Sequence, residues 1–389
     1  MSKATTSRVN VDGLLSDKFE KSLLWRVKTH LQFTGWLQYL PNLVLALVFL
    51  GLAALGRLVG FLPSIFVGVP LVIGSLLLLN FLFDLVTVKA GVRPSEAIPK
   101  PKLELDAFDL MRARHSCRAF QTQDLTEEHR NELVELANKY SQPEFLLGEK
   151  SIRFEYIKAP LSVWPTVGAH EFFVAIAPKA YDRMAVIDVG RSLQHVVHHA
   201  TRMGVATCWV GPGADHHSIQ RHLGDRLNIE KDHIICVCAL GYPSKFKPLV
   251  IRMATWKMSS SRLPLSQLFF EGADFAKPLD VESESFSRFG RCYEVCQWAP
   301  SSFNSQTSRG TVVTQDRNGT KEVVRVDFGA ATASRFYAPV AIGIWCANWE
   351  MGCEALGQKG SLQVLTPEER QVAAEPELPR YDLSWVVSD

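Results

Sequence analysis

The chain has 389 residues, 47% of them hydrophobic and 21% charged, with a formal net charge of +2. That length allows two or three domain-sized units, and so even a charge balance gives no footing for nucleic acid. The eight cysteines include no CxxC pair, so they read as reduced, mostly buried thiols rather than zinc ligands or disulfide staples.

Residues 31–56 and 58–83 are uncharged runs of 26 residues each, parted by Arg57. A bilayer core needs about 20 apolar residues per helix, so two spans are expected, near 38–57 and 65–86. Lys18, Lys21, Arg26 and Lys28 precede this hairpin, and Lys89, Arg93, Lys100 and Lys102 follow it. That excess places both chain ends on the cytoplasmic (or matrix or stromal) face of a two-pass membrane protein. The rivals are a buried helix pair and a shallow hairpin anchored by Trp25, Trp36 and Tyr39. Pro94, Pro99 and Pro101 then mark a linker.

Beyond the linker, residues 108–113 read as a short helix. Thr126 reads as an N-cap with Glu127 and Glu128 in the first turn, opening a helix to about Tyr140. Residues 172–177 and 234–240 read as buried strands. Asp188 is expected to cap a helix ending at Gly204. His195, His198 and His199 share that helix, but without a carboxylate at ligand spacing they read as packed or surface histidines. Residues 286–298 read as one helix, and 311–315 and 320–326 as strands around the turn Asp316-Arg317-Asn318-Gly319. A helix follows over 341–356, and a last strand over 381–387. Gly190 and Gly204 are spaced by 14 residues, as are Gly343 and Gly357, a hint of two related halves.

Two stretches carry chemistry. Arg114-His115-Ser116-Cys117-Arg118 gathers two guanidinium groups and a hydroxyl, donors that suit a phosphate, although a solvated basic helix end has the same composition. Residues 298–306 hold Ser301, Ser302, Asn304 and Gln306, polar groups able to meet the pyrimidine edge of a flavin. Trp209 and Val210 could form its flat apolar wall. No GxGxxG follows a strand and no nucleophile elbow occurs, which favours a cofactor that brings its own reactivity.

The 114–118 run followed by Phe120 resembles the opening motif of the FMN-dependent nitroreductase family. Pro300-Ser301-Ser302-Phe303-Asn304-Ser305-Gln306 resembles that family's flavin loop, and Gly204 to Gly211, with Trp209, its ring-facing segment. Ser261-Arg262-Leu263-Pro264 is similar to a late basic motif that returns to the phosphate. The likeness covers about 107–389. It implies that Arg114, His115, Ser116, Arg118, Trp209, Val210, Gly211, Arg262, Pro300, Ser301, Ser302, Asn304 and Gln306 bind FMN. No side chain is expected as a catalyst, because the chemistry is carried at the flavin N5. The family usually continues its loop as Gln-Pro-Trp, where this chain has Gln306-Thr307-Ser308.

The phosphate motif lies only in the first half and the flavin loop only in the second, as in the tandem branch of the family. The expected fold is therefore α+β, a nitroreductase-like pseudo-dimer of two α/β halves in one chain, preceded by two transmembrane helices. Its parts are a cytoplasmic-side segment 1–37, a hairpin 38–86, a linker 87–106, a first half 107–270, a linker 271–283 and a second half 284–389. The implied activity is electron transfer from NADH or NADPH through FMN to a nitroaromatic or quinone-type small molecule, by a ping-pong scheme. The alternative is a non-catalytic subunit of a membrane complex. Reductive dehalogenation is a third possibility, but no substrate-binding lid supports it. Expected partners are the lipid bilayer, the small-molecule acceptor and other subunits of such a complex, with no nucleic acid and no metal.

Overall fold

The computed structural model describes residues 23–388 apart from 61, 162, 212, 260, 273–274, 318 and 373–375. Of the expected interfacial and topogenic residues, Lys18 and Lys21 lie outside this set, as does the side chain of Trp25.

After helix α1 (Leu23–Phe33) come two helices long and apolar enough to cross a membrane, α2 (Leu40–Val59) and α3 (Ser64–Lys89). Both bounds lie within a few residues of the sequence expectation. The helices pack through small residues: a Cβ on Gly74 would come 2.8 Å from Leu50 Cγ, so glycine permits the close approach. Asn42 Nδ2 donates to Asn80 Oδ1 at 3.2 Å across the pair. At the open end Lys89 Nζ donates to the Thr34 carbonyl and lies 5.0 Å from the Trp36 ring centroid.

The remainder is a mixed helix and sheet fold. Helix α4 (Ala107–Ala113) is capped by Asp106, whose carboxylate accepts from Asp109 N. Helix α5 (Glu127–Tyr140) starts at Thr126, whose hydroxyl accepts from His129 N, as expected. One sheet has the order β1 (Arg153–Lys158), β2 (Glu171–Pro178), β4 (Asp232–Gly241), β3 (Ala206–Val210), with every pairing antiparallel. The long helix α6 (Arg183–Arg202) connects β2 to β3. It is capped by Asp182, not by Asp188 as the sequence suggested. Asp188 sits buried inside the helix, where its carboxylate accepts from Leu147 N and Gly148 N, both at 2.9 Å.

Helices α7 (His216–Leu223) and α8 (Leu249–Ser259) follow. The second sheet begins with two short edge strands, β5 (Phe269–Glu271) and β6 (Lys277–Pro278). It continues in the order β7 (Ser308–Arg317), β8 (Thr320–Ala330), β10 (Arg380–Val387), β9 (Gly360–Gln363), again antiparallel. Helix α10 (Tyr337–Ala355) connects β8 to β9. Both sheets thus share one strand order and place a long helix at the same step. The expected helix over 286–298 is broken at Gly290 (φ 43°), leaving a short turn and then α9 (Cys292–Gln297).

Helices α6 and α10 pack against each other, and Ile187 of α6 enters the core built around α10 and the second sheet. Gly190 and Gly343 lie inside these helices. Gly204 (φ 81°) and Gly357 (φ 66°) do follow their ends, where glycine adopts the left-handed conformation without strain. All eight cysteines are free and buried.

Candidate functional site

The basic motif leaves α4 and runs beside the edge strand β3. Cys117 N donates to the Thr207 carbonyl at 2.8 Å, and Ser116 forms an isolated bridge with Thr207. This pairing pins the alternation of the segment. The Arg114 guanidinium points inward and is only 6% exposed, and its Nη1 has no hydrogen-bond partner. Burial, and then the charges of Arg262 and Arg118, lower its pKa to about 10. Arg262 comes from the segment after α8. It donates to the Ala299 and Trp298 carbonyls, while its buried Nε has no partner. Guanidinium groups from two distant parts of the chain therefore share one field, and Arg114 and Arg262 carry orphaned donors. Such an arrangement is costly unless an anion completes it.

His115 is exposed, with Nδ1 2.8 Å from the Ala113 carbonyl oxygen. Local packing, and the charges of Arg114, Lys102 and Lys247, hold its pKa below the ordinary value. Cys117 is held up at about 11, chiefly by burial, which leaves it a structural thiol. The Ser116 side chain is half-buried in the same segment.

The flavin-loop stretch meets this motif through Arg262. Phe303, Asn304 and Gln306 have φ of 52°, 56° and 48°, a run of left-handed conformations that non-glycine residues rarely adopt. Its amides turn inward on the chain. Asn304 Nδ2 donates to the Ser261 carbonyl at 2.7 Å, and Gln306 Oε1 accepts from Leu263 N at 2.8 Å. Ser301 Oγ accepts from Gln306 N at 2.9 Å. Pro300 is buried, and Ser302 is half-buried in the same turn. The loop and the 261–263 segment are thus stitched into one wall, while Arg112 and Arg262 lie 5.3 and 5.9 Å from the Trp298 ring centroid.

Strand alternation separates the two expected wall residues. Trp209 faces α6, and its indole N–H donates to Gln194 Oε1 at 3.3 Å. Val210 turns into the core on the opposite sheet face. Gly211 lies where a Cβ would come 3.1 Å from the Tyr337 ring, so Tyr337, at the start of α10, packs over it. Gln194 extends the contact: its Nε2 lies 2.9 Å from His198 Nε2 and 3.3 Å from Asn348 Oδ1. His198 Nε2 is 2.8 Å from Asn348 Oδ1, and Asn348 Nδ2 donates to the Val295 carbonyl. Burial, above all, depresses the His198 pKa to about 3, and Arg114 adds to it.

Tyr337, Gln194 and Asn348 are absent from the sequence expectation, in which His198 figures only as a packed or surface histidine. The i, i+4 pair of Gln194 and His198 on one helix face was the one available signal. The three clustered histidines diverge: His195 stacks on Tyr140, His198 joins this network, and His199 meets Glu132. Among the described residues no group of His, Cys, Asp or Glu is placed to hold a metal.

The buried Arg114 guanidinium, flanked by Arg118 and Arg262, gives this mixed helix and sheet fold a donor set that suits an anion. Residues 106–344 match the family described as "Putative TM nitroreductase", and the chain belongs to the nitroreductase family. It is similar to the crystal structure of a "putative nitroreductase" from Thermotoga maritima, 14% identical over 76% of this chain and 100% of that one, with a TM-score of 0.44. A nitroreductase with bound FMN from Bacteroides fragilis is 15% identical over 36% of this chain and 90% of its own, TM-score 0.30. A "putative NADH oxidase" from Clostridium acetobutylicum is 14% identical over 35% and 89%, TM-score 0.28. No curated protein matches the chain.

Proposed function

We propose that this protein is a membrane-anchored, FMN-dependent oxidoreductase whose two halves form a pseudo-dimer around one flavin. The observation that carries the reading is the buried Arg114 guanidinium, unpartnered at Nη1 and set beside Arg262 and Arg118. A doubly charged phosphate monoester fits that donor set. When bound, FMN would supply two-electron transfer from NADH or NADPH to a nitroaromatic or quinone-type acceptor by a ping-pong sequence.

The chain's own contribution is positional and electrostatic. Arg114, Arg118 and Arg262 would hold the phosphate, with His115 and Ser116 beside it. Trp209, Gly211 and Tyr337 would bound one side of the ring, and the wall from Pro300 to Gln306 another. Positive charge near the site favours the anionic form of a reduced ring. Helices α2 and α3 would cross the bilayer with both ends of the hairpin on the cytoplasmic, matrix or stromal side, which suits a lipophilic acceptor.

The test is an absorption spectrum of the detergent-purified protein, with the released chromophore identified. About one FMN per chain supports the reading, and a colourless protein that cannot be reconstituted overturns it. A second reading, a non-catalytic subunit of a membrane complex, draws on the Asn304 and Gln306 amides being spent within the chain. Co-purification at fixed stoichiometry without turnover would favour it.

A further inference from the structure

The segment after β4 is pinned to the end of the apolar hairpin. The rings of Phe83 and Phe246 lie 6.3 Å apart. Leu249 N donates to Asp84 Oδ2 at 3.2 Å, and α8 packs against α2. Arg93 follows the second apolar helix and lies 5.4 Å from the Phe246 centroid, donating to Ser244 Oγ at 2.9 Å and to the Phe120 carbonyl at 2.8 Å. The Glu96 carboxylate accepts from Ser244 Oγ and from Lys245 N, as Asp84 accepts from Leu249 N, so both acidic groups beside this segment are held by it. Around these fixed points Lys245, Lys247 and Arg252 are exposed, and Met253 is 63% exposed. The linker adds the exposed apolar residues Val92, Ile98 and Leu103.

We propose that Lys245, Lys247, Arg252 and Met253 form a docking face for the anionic phospholipid headgroups of the leaflet in which the hairpin ends. The proposal rests on the membrane-spanning reading of α2 and α3. Charge complementarity and continuity with the hairpin select the occupant. Lysine and arginine at the level where apolar helices end meet lipid phosphates, and an adjacent methionine can enter the acyl boundary. The face also adjoins the segment that carries the basic motif, because Ser244 N donates to the Ala119 carbonyl at 2.9 Å and Phe120 bridges Pro243. Docking therefore holds the site against the leaflet, and an acceptor dissolved in the bilayer reaches it without crossing bulk water.

The test compares the full chain in nanodiscs of phosphatidylcholine with nanodiscs containing phosphatidylglycerol, by hydrogen exchange over residues 90–103 and 244–253. The expected result is several-fold slower exchange with phosphatidylglycerol, abolished by high salt and by the triple variant Lys245→Gln, Lys247→Gln, Arg252→Gln. Equal exchange in both lipids overturns the proposal, as does a triple variant that behaves like the parent. Equal protection by inorganic phosphate in phosphatidylcholine discs would reveal a simple ion site and also overturn it. Alkaline carbonate extraction separates the two readings: release of the chain from vesicles defeats the membrane-spanning reading itself, whereas retention with lipid-independent exchange defeats only the docking face.

Discussion

Gly190 and Gly343 each lie against the backbone of the other's helix. A Cβ on Gly190 would meet the Val340 carbonyl, and one on Gly343 would meet the Ile187 carbonyl and come 2.6 Å from Arg191 N. The contact is reciprocal: 153 residues separate Gly190 from Gly343, and the same number separates Ile187 from Val340. Contacts of this kind arise where two helices cross closely enough for backbone to meet backbone, and glycine permits that approach. Gly190→Ala or Gly343→Ala should each cost about 3 kcal/mol or more, because backbone cannot step aside as a flexible side chain does. Thermal unfolding in detergent would check it, with Gly51→Ala as control, since a Cβ there meets nothing within 4 Å.

The arginine site makes a separable prediction. Arg114→Ala and Arg118→Ala should weaken FMN retention, each lost ionic contact costing on the order of 1.5–3 kcal/mol. Flavin occupancy by absorbance after dialysis is the measurement. Unchanged occupancy in the double variant removes the phosphate assignment.

His198 predicts an acid sensitivity. Its folded pKa, about 3, lies below the ordinary 6.5, so the unfolded chain binds the extra proton first. Its contribution to stability is complete above pH 6.5 and is lost progressively as pH falls from there toward 3. His198→Gln should flatten that part of the stability profile. Trp209 fluorescence read alongside should shift in the variant, because Gln194 links the two side chains.

Arg191 and Glu350 form a two-pronged ion pair between α6 and α10, at 2.7 and 2.8 Å. The Glu350 pKa is lowered against burial by hydrogen bonds from His195 and Arg191. Glu350→Ala should destabilise by about 3–5 kcal/mol, since it strands a largely buried guanidinium. The parent should lose this contribution as pH falls through the depressed carboxylate range, and chemical denaturation at graded pH would show it.

The local structure was legible in the sequence because its causes are short-range. The Thr126 hydroxyl reaches an amide three residues away, an apolar run makes a helix of its own length, and Gly319 (φ 83°) closes the β7–β8 turn. The order of the basic and flavin-loop motifs likewise needs no tertiary contact to be read. Asp188 misled because a carboxylate before an apolar helical run looks like a cap, whereas its partners, Leu147 N and Gly148 N, lie some 40 residues away. Val210 was grouped with Trp209 by proximity in sequence, although adjacent strand residues face opposite ways. Only the tertiary structure decided that the Arg114 guanidinium is buried with an unpartnered Nη1, and that Asn304 and Gln306 are spent on residues 261–263. It also decided that Tyr337 covers Gly211. Propensity and patterning act over one or two turns, whereas a side chain's partners are chosen by which distant segments the packed core brings alongside.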